Sequence, residues 1–258
     1  MEKKLDCLVI ASEYSGAREI FDLLRLNFES TPIPGFYGNK AIQFKSGNKD
    51  LRLGILEPGN IEELHDQNIS GYLNPEGKIY LILRNPVWRS YAAYKQNYKE
   101  GKESYSFFDA IKWESNPEEI RLGASNTNYI FSSKYFKGIK NLLDNSGIKK
   151  LSILLYEDMK HYPFEILLNF KDNLFLEFNT STEIIAHNLG KKQIARKRIG
   201  ILKYISDNPI KLKEETAKYI YYTYFKKDID ELEQLLNINL SSWKFTEKAP
   251  DGMYAAVF

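Results

Sequence analysis

KIYLILRNPVWRSYAAY, residues 78–94, is an apolar run that stops at an arginine and passes at once into a helical pattern. Ile79 to Leu83 shows no alternation, which is the mark of a strand covered on both faces. Pro86 suits the first turn of a helix, where its missing N–H costs nothing. Arg84 therefore falls at the carboxyl end of a strand, just ahead of a helix N-terminus. A guanidinium there can grip a phosphate with two donors in a fork. The plainer alternative is a surface arginine beside a capped helix.

Three more runs have strand character: Leu5 to Ala11, Leu51 to Leu56, and Lys150 to Tyr156. Helical patterns separate them at Ala17 to Leu26, Ile61 to Asn68, Pro86 to Tyr98, Phe107 to Trp113 and Tyr129 to Asp144. Apolar strands alternating with helices predict an α/β fold in three layers around a central parallel sheet, with ligands bound beyond the carboxyl ends of the strands. Ile210 to Phe225 and Ile229 to Leu236 make the C-terminal part helical. Residues 27–50 and 182–200 read as long polar loops. With no repeat and no clear linker, residues 1–258 are expected to form a single domain.

The first strand leads into Ala11-Ser12-Glu13-Tyr14-Ser15-Gly16-Ala17-Arg18. A strand, a Ser-Gly turn and a helix start make a place for an anion, because free N–H groups and the positive end of the helix dipole both face outward. Gly16 allows close approach to the backbone, and the hydroxyls of Ser12 and Ser15 add donors. Taken alone, such a junction is more often just a turn and a cap.

Lys and Arg total 36 against 34 Asp and Glu, so the chain has no overall attraction to nucleic acid and any basic site is local. Five basic residues between Lys191 and Arg198 form such a concentration. Cys7 is the single cysteine, which rules out an internal disulfide. The apolar run Cys7 to Ala11 is too short for a signal-peptide core or a membrane span, and a cytoplasmic protein is expected. His65, His161 and His187 lie far apart and show no metal-ligand spacing.

These segments together resemble the sulfotransferases that use 3′-phosphoadenosine 5′-phosphosulfate (PAPS), in particular the carbohydrate and bacterial branches. Leu83-Arg84-Asn85-Pro86-Val87 with Arg89, Tyr91 and Tyr94 is similar to the segment that binds the donor's 3′-phosphate. Leu155-Tyr156-Glu157-Asp158-Met159 is similar to the family's strand-ending Tyr-Glu-Asp-Leu. His187-Asn188 followed by Arg196, Lys197 and Arg198 resembles the late basic loop over the nucleotide. Asp228-Ile229 through Trp243 resembles the C-terminal helix and closing tryptophan. The resemblance implies a P-loop-like sulfotransferase topology. It implies a donor site at Ser12, Tyr14, Ser15, Gly16, Ala17, Arg18, Arg84, Ser90, Tyr156, Arg196, Lys197 and Arg198. It implies no metal, PAPS as donor, and 3′-phosphoadenosine 5′-phosphate (PAP) as by-product.

The sequence departs from the family where charge matters. Tyr14 stands where the family has the lysine that stabilises the leaving group, and Ala17-Arg18 replaces two threonines. Ala92 stands where a serine contacts the 3′-phosphate; Ser90 is the nearest hydroxyl. The nearest match to the carbohydrate branch's Lys-Glu motif is Lys40-Ala41. Candidates for the catalytic cation are Arg18 and Lys40, and candidates for the base are His65, Glu13 and Asp66. The expected reaction is sulfuryl transfer to a hydroxyl or amine acceptor, a saccharide by branch. The alternative is an impaired member that binds nucleotide or a partner without turnover. A P-loop kinase-like enzyme would need Gly-Lys-Ser/Thr, and Gly16 is followed by Ala17 and Arg18. Neither acceptor identity nor oligomeric state is legible.

Overall fold

The computed structural model describes residues 4–27, 30–32, 41–46, 49–66, 69–115, 128–145, 151–162, 165, 166, 168, 170 and 212–245. One six-stranded sheet contains β1 (Leu5–Ala11), β2 (Ser30–Pro32), β3 (Ala41–Ser46), β4 (Lys49–Leu56), β5 (Leu73–Leu83) and β6 (Leu151–Leu155), in the order β2-β3-β4-β1-β5-β6. The four strands expected from apolar runs are β4, β1, β5 and β6, and each pairs with its neighbour in parallel. In β1, every residue but Asp6 is buried, which is why its sequence is apolar without alternation.

Two differences from the sequence reading concern strands. Residues 27–50, read as a loop, contribute β2 and β3, both antiparallel. Ile42-Gln43-Phe44-Lys45 alternates apolar with polar residues, the period of a strand, and Gly47-Asn48 separates β3 from β4 in the sequence. β5 begins at Leu73 rather than Lys78. Asn74-Pro75-Glu76-Gly77 reads as a turn, and there the pairing with β1 jumps from Leu5–Leu73 to Cys7–Lys78. Asp6 fastens this irregular end, accepting from Arg52 N–H at 2.8 Å and from Asn74 Nδ2 at 2.6 Å.

The chain divides into two compact units. The first comprises Met1–Gly59, Glu63–Arg84 and Leu142–Pro209 and contains the sheet. It also holds α1 (Ala17–Asn27), α2 (Ile69–Tyr72) and α6 (Tyr156–His161). Its core joins Val9, Ala11, Ile20, Leu24, Tyr80, Ile82, Leu154 and Phe170, with the Tyr80 and Phe170 rings stacked at 4.2 Å.

The second unit comprises Asn60–Glu62, Asn85–Asn141 and Ile210–Phe258. It carries α3 (Pro86–Lys99), α4 (Phe107–Glu114), most of α5 (Phe136–Asn145), α7 (Glu214–Ile220) and α8 (Lys226–Leu236). Between α7 and α8 the helix widens to a π turn at Tyr221–Phe225. Asn85 caps α3, accepting from Val87 N–H at 3.0 Å. The helix expected over Tyr129 to Asp144 is broken. A 3₁₀ turn at Phe131–Ser133 precedes α5, and Lys134 between them is extended. Ser133 Oγ donates back to Tyr129 O at 2.6 Å, a side-chain bond that competes with continued helix. Asp228 then caps α5, accepting from Tyr135 N–H at 2.9 Å and Phe136 N–H at 3.2 Å. Trp243 is buried core, as expected. The segment Ile61–Asp66, expected as α-helix, is 3₁₀.

Candidate functional site

The parallel arrangement of β4, β1, β5 and β6 sends their carboxyl ends to one edge of the sheet, and each end delivers a polar or charged residue there. β1 ends at Ala11, and Ser12 opens a tight turn closed by Ser15 N–H donating to Ser12 O at 3.1 Å. The two hydroxyls face each other at 2.8 Å and are fully buried. Tyr14 takes the left-handed conformation at φ 67°, and Gly16 sits at φ 101°. The first intrahelical bond of α1 runs from Ile20 N–H to Gly16 O, so the N–H groups of Ala17, Arg18 and Glu19 have no partner within the helix.

Gly16 is required by its surroundings. A Cβ built there would lie 2.4 Å from Tyr156 Cδ2 and 2.8 Å from Cε2. Tyr156 directly follows β6, and its ring is pressed against the turn. Arg84, which directly follows β5, reaches over the same ring with Cζ 4.5 Å from its centroid. The same guanidinium donates from Nη1 to Tyr14 O at 2.8 Å. Arg84 thus ties three strand ends together: it closes the turn after β1 while stacking on the residue after β6. The expectation that Gly16 and Arg84 share one edge of the sheet is met.

Burial pushes the Tyr156 phenol up to about 12, against the opposing pull of the nearby Arg84 charge. Burial also raises Tyr94 to about 12 in the second unit. The folded protein therefore favours the neutral phenols, and the stability they contribute is complete below the ordinary tyrosine value near 10. It is lost as pH rises from there through 12. Tyr156 alone should account for roughly 2 kcal/mol by pH 12. Urea midpoints measured from pH 8 to 12 should stay level to about 10 and then fall; a level course to pH 12 would show these phenols to be solvated.

Eight of the residues expected from sequence meet at this edge: Ser12, Tyr14, Ser15, Gly16, Ala17, Arg18, Arg84 and Tyr156. Ser90 lies in α3 in the second unit, fully buried, with its hydroxyl donating to Val87 O at 2.9 Å. That hydroxyl is engaged inside its own helix. Lys40, Arg196, Lys197 and Arg198 lie outside the described residues, as do the side chains of His65 and Asp66. The side chain of Glu13 is exposed, while its N–H donates to Pro58 O at 3.2 Å. Sequence reasoning missed Glu57, the first residue after β4, whose Oε2 lies 3.7 Å from Arg18 Nε. The signal was available, because Leu51 to Leu56 was already read as one of the parallel strands and its carboxyl end belongs to the same edge.

Among the described residues no helix is long and apolar enough to cross a membrane. No group of three or more His, Cys, Asp or Glu side chains is placed to hold a metal among them.

No protein-family model and no curated protein matches the chain. Solved structures do. A sulfotransferase from Alicyclobacillus acidocaldarius aligns over 93% of this chain and 99% of its own at a TM-score of 0.61 and 17% identity. A mouse sulfotransferase complexed with PAP aligns over 76% of this chain and 65% of its own, at a TM-score of 0.45 and 13% identity. The first likeness spans nearly the whole of both chains and agrees with the parallel sheet and its strand-end turn. The chain has the sulfotransferase fold.

Proposed function

We propose that this protein is a PAPS-dependent sulfotransferase, a single domain over residues 1–258, that transfers a sulfuryl group to a hydroxyl or amine acceptor in the cytoplasm. The observation that carries this reading is the bond from Arg84 Nη1 to Tyr14 O. It joins the two segments that resemble the family's phosphate-binding elements, at the carboxyl ends of neighbouring parallel strands. The donor set fits a nucleotide with phosphate groups at both ends. The free N–H groups at the start of α1 and the Arg18 guanidinium would hold the 5′ end, beside the buried hydroxyl pair of Ser12 and Ser15 that shapes the turn. Arg84 would hold the 3′-phosphate, with Arg196, Lys197 and Arg198 closing over the nucleotide as the family resemblance implies. The donor supplies the activated sulfuryl group. The protein's part is alignment of the acceptor oxygen with sulfur and stabilisation of the charge that develops on the leaving oxygen. A saccharide acceptor follows from the branch resembled.

A second reading, nucleotide binding without turnover, is favoured by Tyr14 at the position of the family's lysine and by the engagement of Arg18 with Glu57. Both readings require PAP to bind, and only the first requires transfer. PAP at millimolar concentration should raise the melting temperature of the wild-type protein. Arg84→Ala should weaken PAP binding on the order of tenfold or more, since a charged hydrogen bond contributes roughly 1.5–3 kcal/mol. No thermal shift in the wild type would end the donor-site reading, and an undiminished shift in the variant would remove Arg84 from it. Sulfation of a panel of sugars then separates enzyme from binding protein.

A further inference from the structure

Lys160 lies one helical turn beyond Tyr156 on α6, at the spacing that puts two side chains on the same face. Tyr156 and Met159 are buried in the first unit, whereas Lys160 is exposed at its rim. The Lys160 Nζ stands 5.9 Å from the centroid of the Tyr156 ring. The Arg84 guanidinium stands 4.5 Å from the same centroid, and an edge of the ring is pressed against the Gly16 turn. One tyrosine thus gathers an arginine from the end of β5, a lysine from α6 and the turn after β1. All of these belong to the sheet-containing unit. The carboxylates whose charges reach the same phenol are Glu19 on α1 and Glu157 on α6. A phosphate monoester carries about two negative charges at neutral pH, more than one guanidinium neutralises. Ala92 stands where the family has a serine at the 3′-phosphate, and the Ser90 hydroxyl donates to Val87 O. Among the described residues, Lys160 is the cation that shares the Tyr156 ring with Arg84.

Resting on the reading of this edge as the donor's site, we propose that Lys160 is a second phosphate-binding cation and holds the donor's 3′-phosphate together with Arg84. Arg84, tied through Nη1 to Tyr14 O, presents a planar group in a set direction. Lys160 adds a compact charge on a flexible four-carbon stem, so its ammonium can close on a phosphate without any movement of α6. The attraction of an ammonium to a ring face is weaker than a charged hydrogen bond, so the phosphate draws Lys160 off Tyr156. The lysine thereby takes the place of the missing serine. It also makes the site select a nucleotide phosphorylated at both ends over one that lacks the 3′-phosphate.

The test compares the full chain as wild type, Lys160→Met and Lys160→Arg, titrated by calorimetry with PAP and with adenosine 5′-monophosphate. The two nucleotides differ only in the 3′-phosphate, and the wild type should prefer PAP. Lys160→Met keeps most of the apolar stem and removes the charge. It should weaken PAP binding about tenfold while leaving the monophosphate within about twofold of wild type. A lysine with a merely structural role would move both ligands alike. Lys160→Arg should bring PAP affinity back to within about threefold of wild type, because the charge returns. Wild-type PAP affinity in Lys160→Met overturns the role of Lys160. So does an equal loss for both nucleotides, and so does a Lys160→Arg variant as weak as Lys160→Met. A wild type that binds both nucleotides alike overturns the shared grip on the 3′-phosphate and leaves the Gly16 turn standing as the donor's site. A wild type that binds neither overturns the donor-site reading itself.

Discussion

Gly16→Ala should destabilise the sheet-containing unit by about 3–5 kcal/mol and abolish nucleotide binding. Two separate causes act at this position. At φ 101° the backbone lies beyond the left-handed region that non-glycine residues visit, so any side chain strains it. The new methyl group would also stand 2.4 Å and 2.8 Å from two ring carbons of Tyr156. The ring has little room to retreat, being 4% exposed and covered by the Arg84 guanidinium. Relief requires the turn to move, and with it Tyr14 O, the acceptor for Arg84. Urea unfolding of wild type, Gly16→Ala, Tyr156→Ala and the double variant forms a cycle in which the methyl–ring clash emerges as a coupling energy. Gly16→Ala within 1 kcal/mol of wild type would show that the turn yields freely and that its geometry is not set by the ring.

Tyr14→Lys should raise PAPS turnover on the order of a hundredfold while leaving PAP affinity within a few-fold of wild type. The backbone does not oppose the change: at φ 67° Tyr14 already occupies the left-handed region, and lysine holds it at similar cost. The carbonyl that Arg84 uses belongs to the main chain and survives the substitution. In the proposed transfer, lysine would bring a full charge to an oxygen that gains charge only as the bond to sulfur breaks, whereas tyrosine would offer one neutral hydroxyl. The gain therefore falls on rate more than on binding. Initial rates with saturating sugar acceptor, set beside PAP affinity for both proteins, decide the matter. Unchanged turnover at unchanged affinity would mean that position 14 does not reach the leaving oxygen.

Much of this site was legible because its elements announce themselves locally. The four parallel strands are unbroken apolar runs, and the Ser15-Gly16 turn and the Arg84-Asn85-Pro86 junction each combine a strand end with a helix start. The β3 strand was overlooked because Ile42 and Phe44 alternate with polar residues amid Gly, Asn and Lys, so composition outweighed period. The start of β5 was lost because Asn74-Pro75-Glu76-Gly77 has turn chemistry while its neighbours still pair with β1. The break before α5 depends on Asp228, which meets Tyr135 and Phe136 only after the chain has folded. Glu57 was hidden for a related reason. Its meaning comes from Arg18 across two adjacent strand ends, and no local pattern encodes that meeting.

The π turn at Tyr221–Phe225 resolves a problem of phase. Ala217, Tyr221, Phe225 and Ile229 are all buried at a four-residue spacing. An ordinary α-helix advances by 3.6 residues per turn, so that beat would swing the buried side around the axis by about 40° at each step. Over the three steps from Ala217 to Ile229, which lies within α8, the inner face would turn by about 120° toward solvent. The wider π turn winds more slowly and takes up the excess. Tyr221 and Ile229 thus stay on one line, and Asp228, one residue before Ile229, arrives at the angle from which it accepts the N–H groups of Tyr135 and Phe136. The widened turn works as a phase corrector, keeping the four-residue rhythm from Ala217 to Ile229 facing one way.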